Sequence, residues 1–374
     1  MATPKREIGI SLSGGGIRAT IFHLGVLKWL AENNLLQNIS RISTVSGASL
    51  CVGLVFSHSG GKWPTSEEYL NTVLPRIQQI FLEKDIQKIA LQKLIMSPSW
   101  WNKKVNLMAK MMSKHWGVSG KISELDEKPK WYINCTTYET GKRFRFTQAN
   151  MGDYQIGYVA KPDIPVADAI CSSAGFPVLI GPYKMDTTLY TWQQSDYSKN
   201  PFQKPEQYIH LWDGGVYDNL GLESVFKPDN GGTLSDGIDY LIVSNASGGL
   251  GYERRKSELS GKNLKRMLDI SMDQVSALRN RSVMNFIKRT GNGMYLNIGN
   301  SAEFIAESAG VPPAIKSQLM TECMPDSEAL KVQHYPTTLS KPSKFDFELI
   351  LRHGYEVAKC TDICYKAHAL TSLG

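Results

Sequence analysis

Three consecutive glycines sit between a strand pattern and a helix pattern, and they restrict the fold of this chain more than any other feature. Glu7 to Leu12 reads as a short buried strand, and Ser13-Gly14-Gly15-Gly16 breaks it. From about Ala19 to Asn33 an apolar face of Ile21, Leu24, Val26, Leu27 and Leu30 reads as a helix. A second β-branched run, Ile39 to Val45, turns at Ser46-Gly47 into another apolar helix containing Leu50, Val52, Leu54 and Val55. Strand, helix, strand, helix is the start of a parallel α/β layer, because parallel strands need a crossover long enough to hold a helix. The glycines let the first turn point its N–H groups into one small space beside a helix N-terminus. That arrangement suits an anion, either a phosphate or a transient oxyanion.

Composition bounds what surrounds this start. The chain has 374 residues, 42% hydrophobic and 21% charged, enough for a large core and unlike a disordered, collagenous or disulfide-stapled protein. No uninterrupted apolar run approaches the roughly 20 residues of a bilayer crossing, and Met1 to Glu7 is charged, so the chain is expected to be cytoplasmic. The cysteines at 51, 135, 171, 323, 360 and 364 form no Cys-x-x-Cys pair and read as reduced core thiols. The net charge of +7 is unevenly spread: Ile86 to Ser123 holds seven lysines and no Asp or Glu, a surface for something anionic.

The regularity stops at Gly60-Gly61, and a lysine-rich helical insertion is expected over about 60–128. Trp131 to Thr137 and Arg143 to Gln148 alternate as two strands around a turn at Glu139-Thr140-Gly141-Lys142. A short helix follows at Pro165 to Cys171, and 186–207 reads as a polar surface excursion. Strands Ile209 to Trp212 and Tyr240 to Asn245 flank Asp213-Gly214-Gly215. Gly261 to Arg289 reads as a long helix, Met294 to Ile298 as a strand, and the tail from Lys344 as a helix. One domain is expected over 1–374, with a helical C-terminal portion from about 260.

Three turns carry the chemistry. Gly14-x-Gly16-x-x-Ala19 fits a relaxed dinucleotide fingerprint, but that use wants an acid about 20 residues on to bind the ribose, and the chain has no Asp or Glu between Glu32 and Glu67. At Thr44-Val45-Ser46-Gly47-Ala48 a serine on a sharp strand-to-helix turn reads either as a nucleophile elbow or as a helix N-cap. Asp213, ending an apolar strand before two glycines, reads either as a carboxylate at the same sheet edge or as an Asx-turn residue.

Taken together these residues resemble the patatin-like phospholipase family, its bacterial members in particular. Ser13 to Arg18 is similar to the family's oxyanion-hole loop, Ser46-Gly47 to its nucleophile elbow, and Asp213-Gly214-Gly215 to its catalytic Asp motif. Ile133-Asn134-Cys135-Thr136, Thr140-Gly141, Ser172 to Pro177 and Asp218-Asn219-Leu220-Gly221 match in the family's order, and His353-Gly354-Tyr355 resembles its closing helix. The resemblance implies a three-layer α/β fold with a central, mostly parallel sheet and a helical insertion. It also implies a phospholipase A type acyl hydrolase acting through a Ser–Asp dyad. Ser46 would attack an ester carbonyl, Asp213 would take its proton, and Gly14, Gly15 and Gly16, with Arg18, would form the oxyanion hole, with no metal and no cofactor. Arg18 reads equally as a structural residue tied to a neighbouring carboxylate.

The rival mechanism is a Ser-His-Asp triad, for which His334 and His353 follow the acid in chain order; His23 and His210 read as structural. The implied partner is an acyl lipid presented at a membrane surface. Trp100, Trp101 and a helix from about Asn102 to Trp116 are candidates for membrane contact: Val105, Met108, Ala109, Met112 and Trp116 share one face, and Lys103, Lys110 and Lys114 lie opposite. The same pattern also describes a core-packed helix with a solvated lysine face. No nucleic-acid module accompanies the lysines. Some bacterial members are membrane-damaging effectors that wait for a signalling nucleotide, and Arg254-Arg255-Lys256 and Lys262 to Arg266 are where such an activator would be sought. A relative that binds lipid without chemistry is the non-enzymatic alternative.

Overall fold

The structure is a computed structural model that describes residues 6–176, 180–195, 205–254 and 261–365. In chain order β1 (Ile8–Leu12), α1 (Gly16–Glu32), β2 (Ile39–Val45) and α2 (Gly47–His58) open the fold as the sequence predicts, except that α1 begins directly at the third glycine. The 60–128 segment is helical, with α3 (Ser66–Glu68), α4 (Leu74–Glu83), α5 (Ile86–Met96) and α6 (Lys104–Trp116). Then come β3 (Lys130–Thr137), β4 (Arg143–Phe146), β5 (Asn150–Asp153), β6 (Gly157–Ala160), α7 (Val166–Ser173), β7 (Tyr183–Asp186), β8 (Tyr208–Asp213) and α8 (Gly215–Asp218). A small ribbon of β9 (Phe226–Lys227) and β10 (Thr233–Leu234) precedes β11 (Tyr240–Asn245), α9 (Gly261–Thr290) and β12 (Gly293–Asn297). The chain closes on α10 (Ala302–Ala309), α11 (Pro313–Glu322), α12 (Asp326–Gln333) and α13 (Lys344–Tyr365).

Among the described residues ten strands form one sheet, in the order β12-β11-β1-β2-β3-β4-β5-β6, with β8 on β3 and β7 on β8. From β12 to β3 the strands are parallel; from β3 outward through β4, β5 and β6 they are antiparallel. The alternation of side chains assigns each face. Tyr240 and Ile242 of β11 join the large core with Ile8, Ile10 and Leu12, while Leu241 and Val243 point into a smaller cluster with Leu220, Phe226, Val283 and Phe286. Helices α1, α2, α7 and α13 cover the first face; the end of α9 and the 220–238 segment cover the second. Helix α1 is buried nearly all round because α13 packs on its outer side, where Gly354 leaves room for the backbone of Phe22. This is a three-layer α/β fold around a mixed sheet whose central strands, β12 to β3, run parallel.

Some sequence expectations change. Strands β5, β6 and β7 and helices α10, α11 and α12 carry periodicities too short to stand out. In the 186–207 excursion Thr187, Trp192 and Ser195 are buried, and 196–204 lie outside the described residues, as do Pro177, Arg255 and Lys256. Strand β8 runs antiparallel to β3, not with the parallel set. All six cysteines are buried and unbonded, Cys323 and Cys360 with their sulfurs 3.5 Å apart.

Candidate active site

The register along β3 brings the two carrying residues together. β2 pairs with β3 as far as Val45 opposite Asn134, and β8 pairs with the next rung, Asp213 opposite Cys135. Since β4 occupies the other edge of β3 over Ile133 to Thr136, β2 and β8 share one edge and meet end to end. Ser46 is the first residue beyond β2, and Asp213 is the last of β8. The Ser46 side chain lies near the Asp213 carboxyl and helps to pull its pKa down.

Ser46 stands at φ 54° and ψ −119°, a conformation an L-residue adopts only under constraint. Gly47 allows the turn to close, because a Cβ there would overlap the carbonyl oxygen of Gly16. A chain of hydroxyls holds the elbow from behind. Ser173 at the end of α7 accepts the Ser46 amide at 2.9 Å and donates to the Asn134 carbonyl at 2.7 Å. Its only proton is then spent, so Ser49 must donate to Ser173 at 3.0 Å, Thr44 to Ser49 at 2.9 Å, and the Trp131 indole to Thr44 at 2.9 Å. Every donor in the chain is satisfied, which fixes the Ser46 backbone.

Asp213 is 4% exposed, and burial pushes its carboxyl up to about 6, against the pull of the Gly215 amide on Oδ1 at 2.8 Å and of the Ser46 hydroxyl. Its neighbour Asp218 plays a different part. It accepts the amides of Leu220 and Leu222 and faces Arg279 at 3.4 Å, folding the turn that carries Asn219.

The three glycines divide their work. The Gly14 amide donates to the Asn219 carbonyl at 3.3 Å, and Gly14 is packed against the Ser46 side chain. Gly15 and Gly16 have φ of 150° and 62°, and their amides meet no protein acceptor among the described residues. Beneath them the buried His23 donates from Nε2 to the Ser13 carbonyl at 2.9 Å and accepts from Ser244 at Nδ1, and burial lowers its pKa to about 4. Arg18 is 5% exposed and binds the carbonyls of Gln333, Tyr335 and Ala246 at 3.2, 2.6 and 3.3 Å. It ties the glycine turn to the C-terminal segment through carbonyls, not through the carboxylate expected of it.

The other histidines stand elsewhere. His353 accepts the Gly299 amide, His210 pairs with Glu139 at 2.8 Å, and His334 is exposed on the surface after α12. None of them meets Ser46 or Asp213. Among the described residues no group of three His, Cys, Asp or Glu side chains could hold a metal ion.

The expected membrane helix is corrected. Val105, Met108, Ala109, Met112 and Trp116 of α6 are buried, and Trp116 stacks edge-on to Phe81 and donates to the Lys84 carbonyl at 3.3 Å. That face is spent on the core, so Trp116 cannot touch a membrane. Lys110 and Lys114 are exposed, Lys110 over the half-buried Trp100 ring at 4.6 Å, and Trp101 is 62% exposed.

Sequence reasoning matched Ser173, Asn134 and Asn219 as motif members without giving them tasks. A serine or asparagine spacing says nothing about which distant turn it props. Their partners lie 127, 91 and 28 residues away.

Comparison with known proteins finds the same fold elsewhere. The fold is similar to that of human GIVD cytosolic phospholipase A2, with a TM-score of 0.56 at 12% identity over 99% of this chain and 63% of that one. The same enzyme in complex with methyl γ-linolenyl fluorophosphonate and terbium chloride matches with a TM-score of 0.52 at 14% identity, over 99% of this chain and 60% of that one. The chain thus spans less than two thirds of the length of these structures. No curated protein matches it by sequence. The family described as patatin-like phospholipase matches residues 10–226, the stretch that contains the glycine turn, the serine elbow and the aspartate strand, and the chain belongs to that family.

Proposed function

We propose that the protein is a serine lipid acyl hydrolase of phospholipase A type, cleaving fatty-acyl esters of glycerophospholipids. The observation that carries this reading is the contact between the strained Ser46 and the buried Asp213, whose carboxyl is raised to about 6. A carboxyl with that value is ionised at neutral pH yet a better base than an exposed one. Asp213 would take the Ser46 proton as Oγ attacks the ester carbonyl. The Gly15 and Gly16 amides would hold the oxyanion, at roughly 3 to 4 kcal/mol per well-placed donor. The leaving alcohol takes the proton back, and water activated by Asp213 releases the fatty acid from Ser46.

The substrate lies in an interface, and the apolar residues left exposed suggest how it is reached. Gln87, Leu91 and Ile95 form one stripe of α5. Gln87 holds Thr338 at 2.8 Å, and Thr338 accepts the Ile17 amide beside the glycine turn. Further along the stripe Leu91, Ile95 and the neighbouring Met96 are more than half exposed, with Trp101 beside them and Lys88, Lys93, Lys103 and Lys104 around them. Exposed apolar side chains ringed by lysines suit an anionic bilayer, at about 1 kcal/mol per lysine. In this reading the patch is the surface that meets the membrane.

Two measurements test the reading. Ser46→Ala and Asp213→Ala should each lower fatty-acid release from phospholipid vesicles by at least about 10⁴-fold while the fold persists, and Ser46→Ala should abolish labelling by a fluorophosphonate. Full activity in either variant would overturn the dyad. Replacing Leu91, Ile95 and Trp101 by serine should weaken binding to anionic vesicles and spare hydrolysis of a soluble short-chain ester; equal loss on both would place these residues elsewhere in the mechanism.

A further inference from the structure

The second face of the sheet carries a group of cations that the ester chemistry does not use. Strand β4 reads Arg143-Phe144-Arg145-Phe146, so its phenylalanines enter the large core and both guanidiniums lie on the opposite face, side by side. An exposed sheet would normally set acids across from them. Here Arg145 lies opposite Asn134 and Gly152, and Arg143 opposite Thr136. With Arg41, Tyr132 and Lys227 they line a cleft of about 160 Å³, whose acids are Glu223 and Asp236.

The protein leaves this charge partly unpaired. Glu223 approaches Arg143 at 3.4 Å but is shared with Arg279 at 2.9 Å. Arg41 spends its donors on the backbone carbonyls of Ser224 and Asp236, which carry no full charge. Among the described residues Arg145 meets only the Tyr158 ring, at 5.2 Å, and its buried Nε has no acceptor. Burial lowers the pKa of Arg143 most, Glu223 pulls it back up, and Arg145 lowers it again, so the two neighbouring cations repel one another.

We infer that this cleft binds a phosphoryl group, gripped by the paired forks of Arg143 and Arg145 with Arg41 and Lys227 at its rim. Planar guanidiniums match phosphate oxygens two at a time, which an isolated lysine cannot do. A cavity of about 150 Å³ takes a benzene-sized guest, so the cleft has room for a phosphate and a short substituent. It is separate from the ester site. Arg143 and Arg145 point to the second face, whereas Asp213 shares the face of Ile209 and Leu211 in the large core, and Arg41 stands five residues, roughly 17 Å, from Ser46 along an extended strand. The ligand could be free phosphate or a phosphomonoester, or it could be the phosphodiester of a lipid headgroup.

Calorimetric titration of the full chain at low salt distinguishes these sources, with inorganic phosphate in one arm and glycerophosphocholine in the other. Saturable binding of inorganic phosphate alone identifies a free phosphate or monoester ligand; binding of the diester as well identifies a headgroup. In either case Arg145→Gln should weaken the binding at least 10-fold, and Arg145→Lys should weaken it less. With no ligand present, Arg145→Gln should melt at or above the wild-type temperature, since it relieves the repulsion with Arg143, and it should hydrolyse a soluble ester as the wild type does. No saturable binding in either arm, binding unchanged by Arg145→Gln, or an unliganded variant that melts well below wild type would each overturn the inference.

Discussion

Asp213 holds its charge against its surroundings, and that makes the site visible in stability as well as in rate. Burial lifts its carboxyl from 3.8 to about 6, so folded and unfolded chains differ by about 2 pH units, or about 3 kcal/mol. A raised carboxyl contributes stability that is fully present below the unfolded value, near 3.9, and lost as the pH rises through about 6. Above that the ionised group works against the fold. Asp213→Asn keeps the shape and keeps an acceptor for the Gly215 amide, but it has no charge to desolvate. Relative to wild type the variant should be nearly neutral at pH 4 and more stable by about 2 to 3 kcal/mol at pH 8, in urea denaturation at matched temperatures. The kcat/KM of the wild type on a soluble ester should climb through about pH 6 to a plateau. A stability difference that stays flat from pH 4 to 8, or that favours the wild type at pH 8, would refute burial as the dominant influence on this carboxyl.

Three further substitutions probe the surrounding construction. Ser46→Gly should abolish ester hydrolysis yet raise stability by about 1 kcal/mol, because glycine accepts the backbone angles that serine must be forced into; a less stable variant in thermal melts would contradict the strain. Gly47→Ala should lower stability by about 2 kcal/mol and kcat by about 100-fold, since the elbow and the Gly16 carbonyl must move apart; wild-type kinetics would show that the contact does not matter. Trp116→Ala should cost about 3 to 5 kcal/mol in denaturation while the folded protein binds vesicles as before, the outcome expected of a core residue; loss of vesicle binding at unchanged stability would restore the membrane assignment.

The readable parts of this chain are those where a local pattern and a tertiary demand coincide. Strand β1 is legible because it is buried on both faces, β2 because it is a β-branched run, and α1 because it is enclosed on nearly every side. Strands β5 and β6 are four residues each, and Asn150-Met151-Gly152-Asp153 has neither the length nor the β-branched content to announce itself. The spacing of α6 predicts an amphipathic helix, but periodicity states only that one face is apolar. Whether a core or a lipid covers that face depends on Phe81 and on other residues far from α6 in the chain. Arg18 shows the same limit: its charge suggests an anion or a carboxylate, yet its terminal nitrogens bind carbonyls some 230 to 320 residues away, and its buried Nε has no partner among the described residues.

The antiparallel run of β8 explains how Asp213 comes to face Ser46 at the end of β2. An acid at the end of a neighbouring parallel strand would begin one strand spacing, about 4.8 Å, to the side of the serine, a gap that a third residue can bridge. Strand β8 instead arrives antiparallel in the line of β2, and successive rungs of β3 set Val45 and Asp213 end to end. The histidine nearest in sequence to the glycine turn, His23, is spent beneath it, donating to Ser13 and held neutral by burial. A site built this way depends on the register of β3 with both partners. A change that slips β8 by one residue would turn the Asp213 side chain to the opposite face and separate the pair while every motif stayed in place.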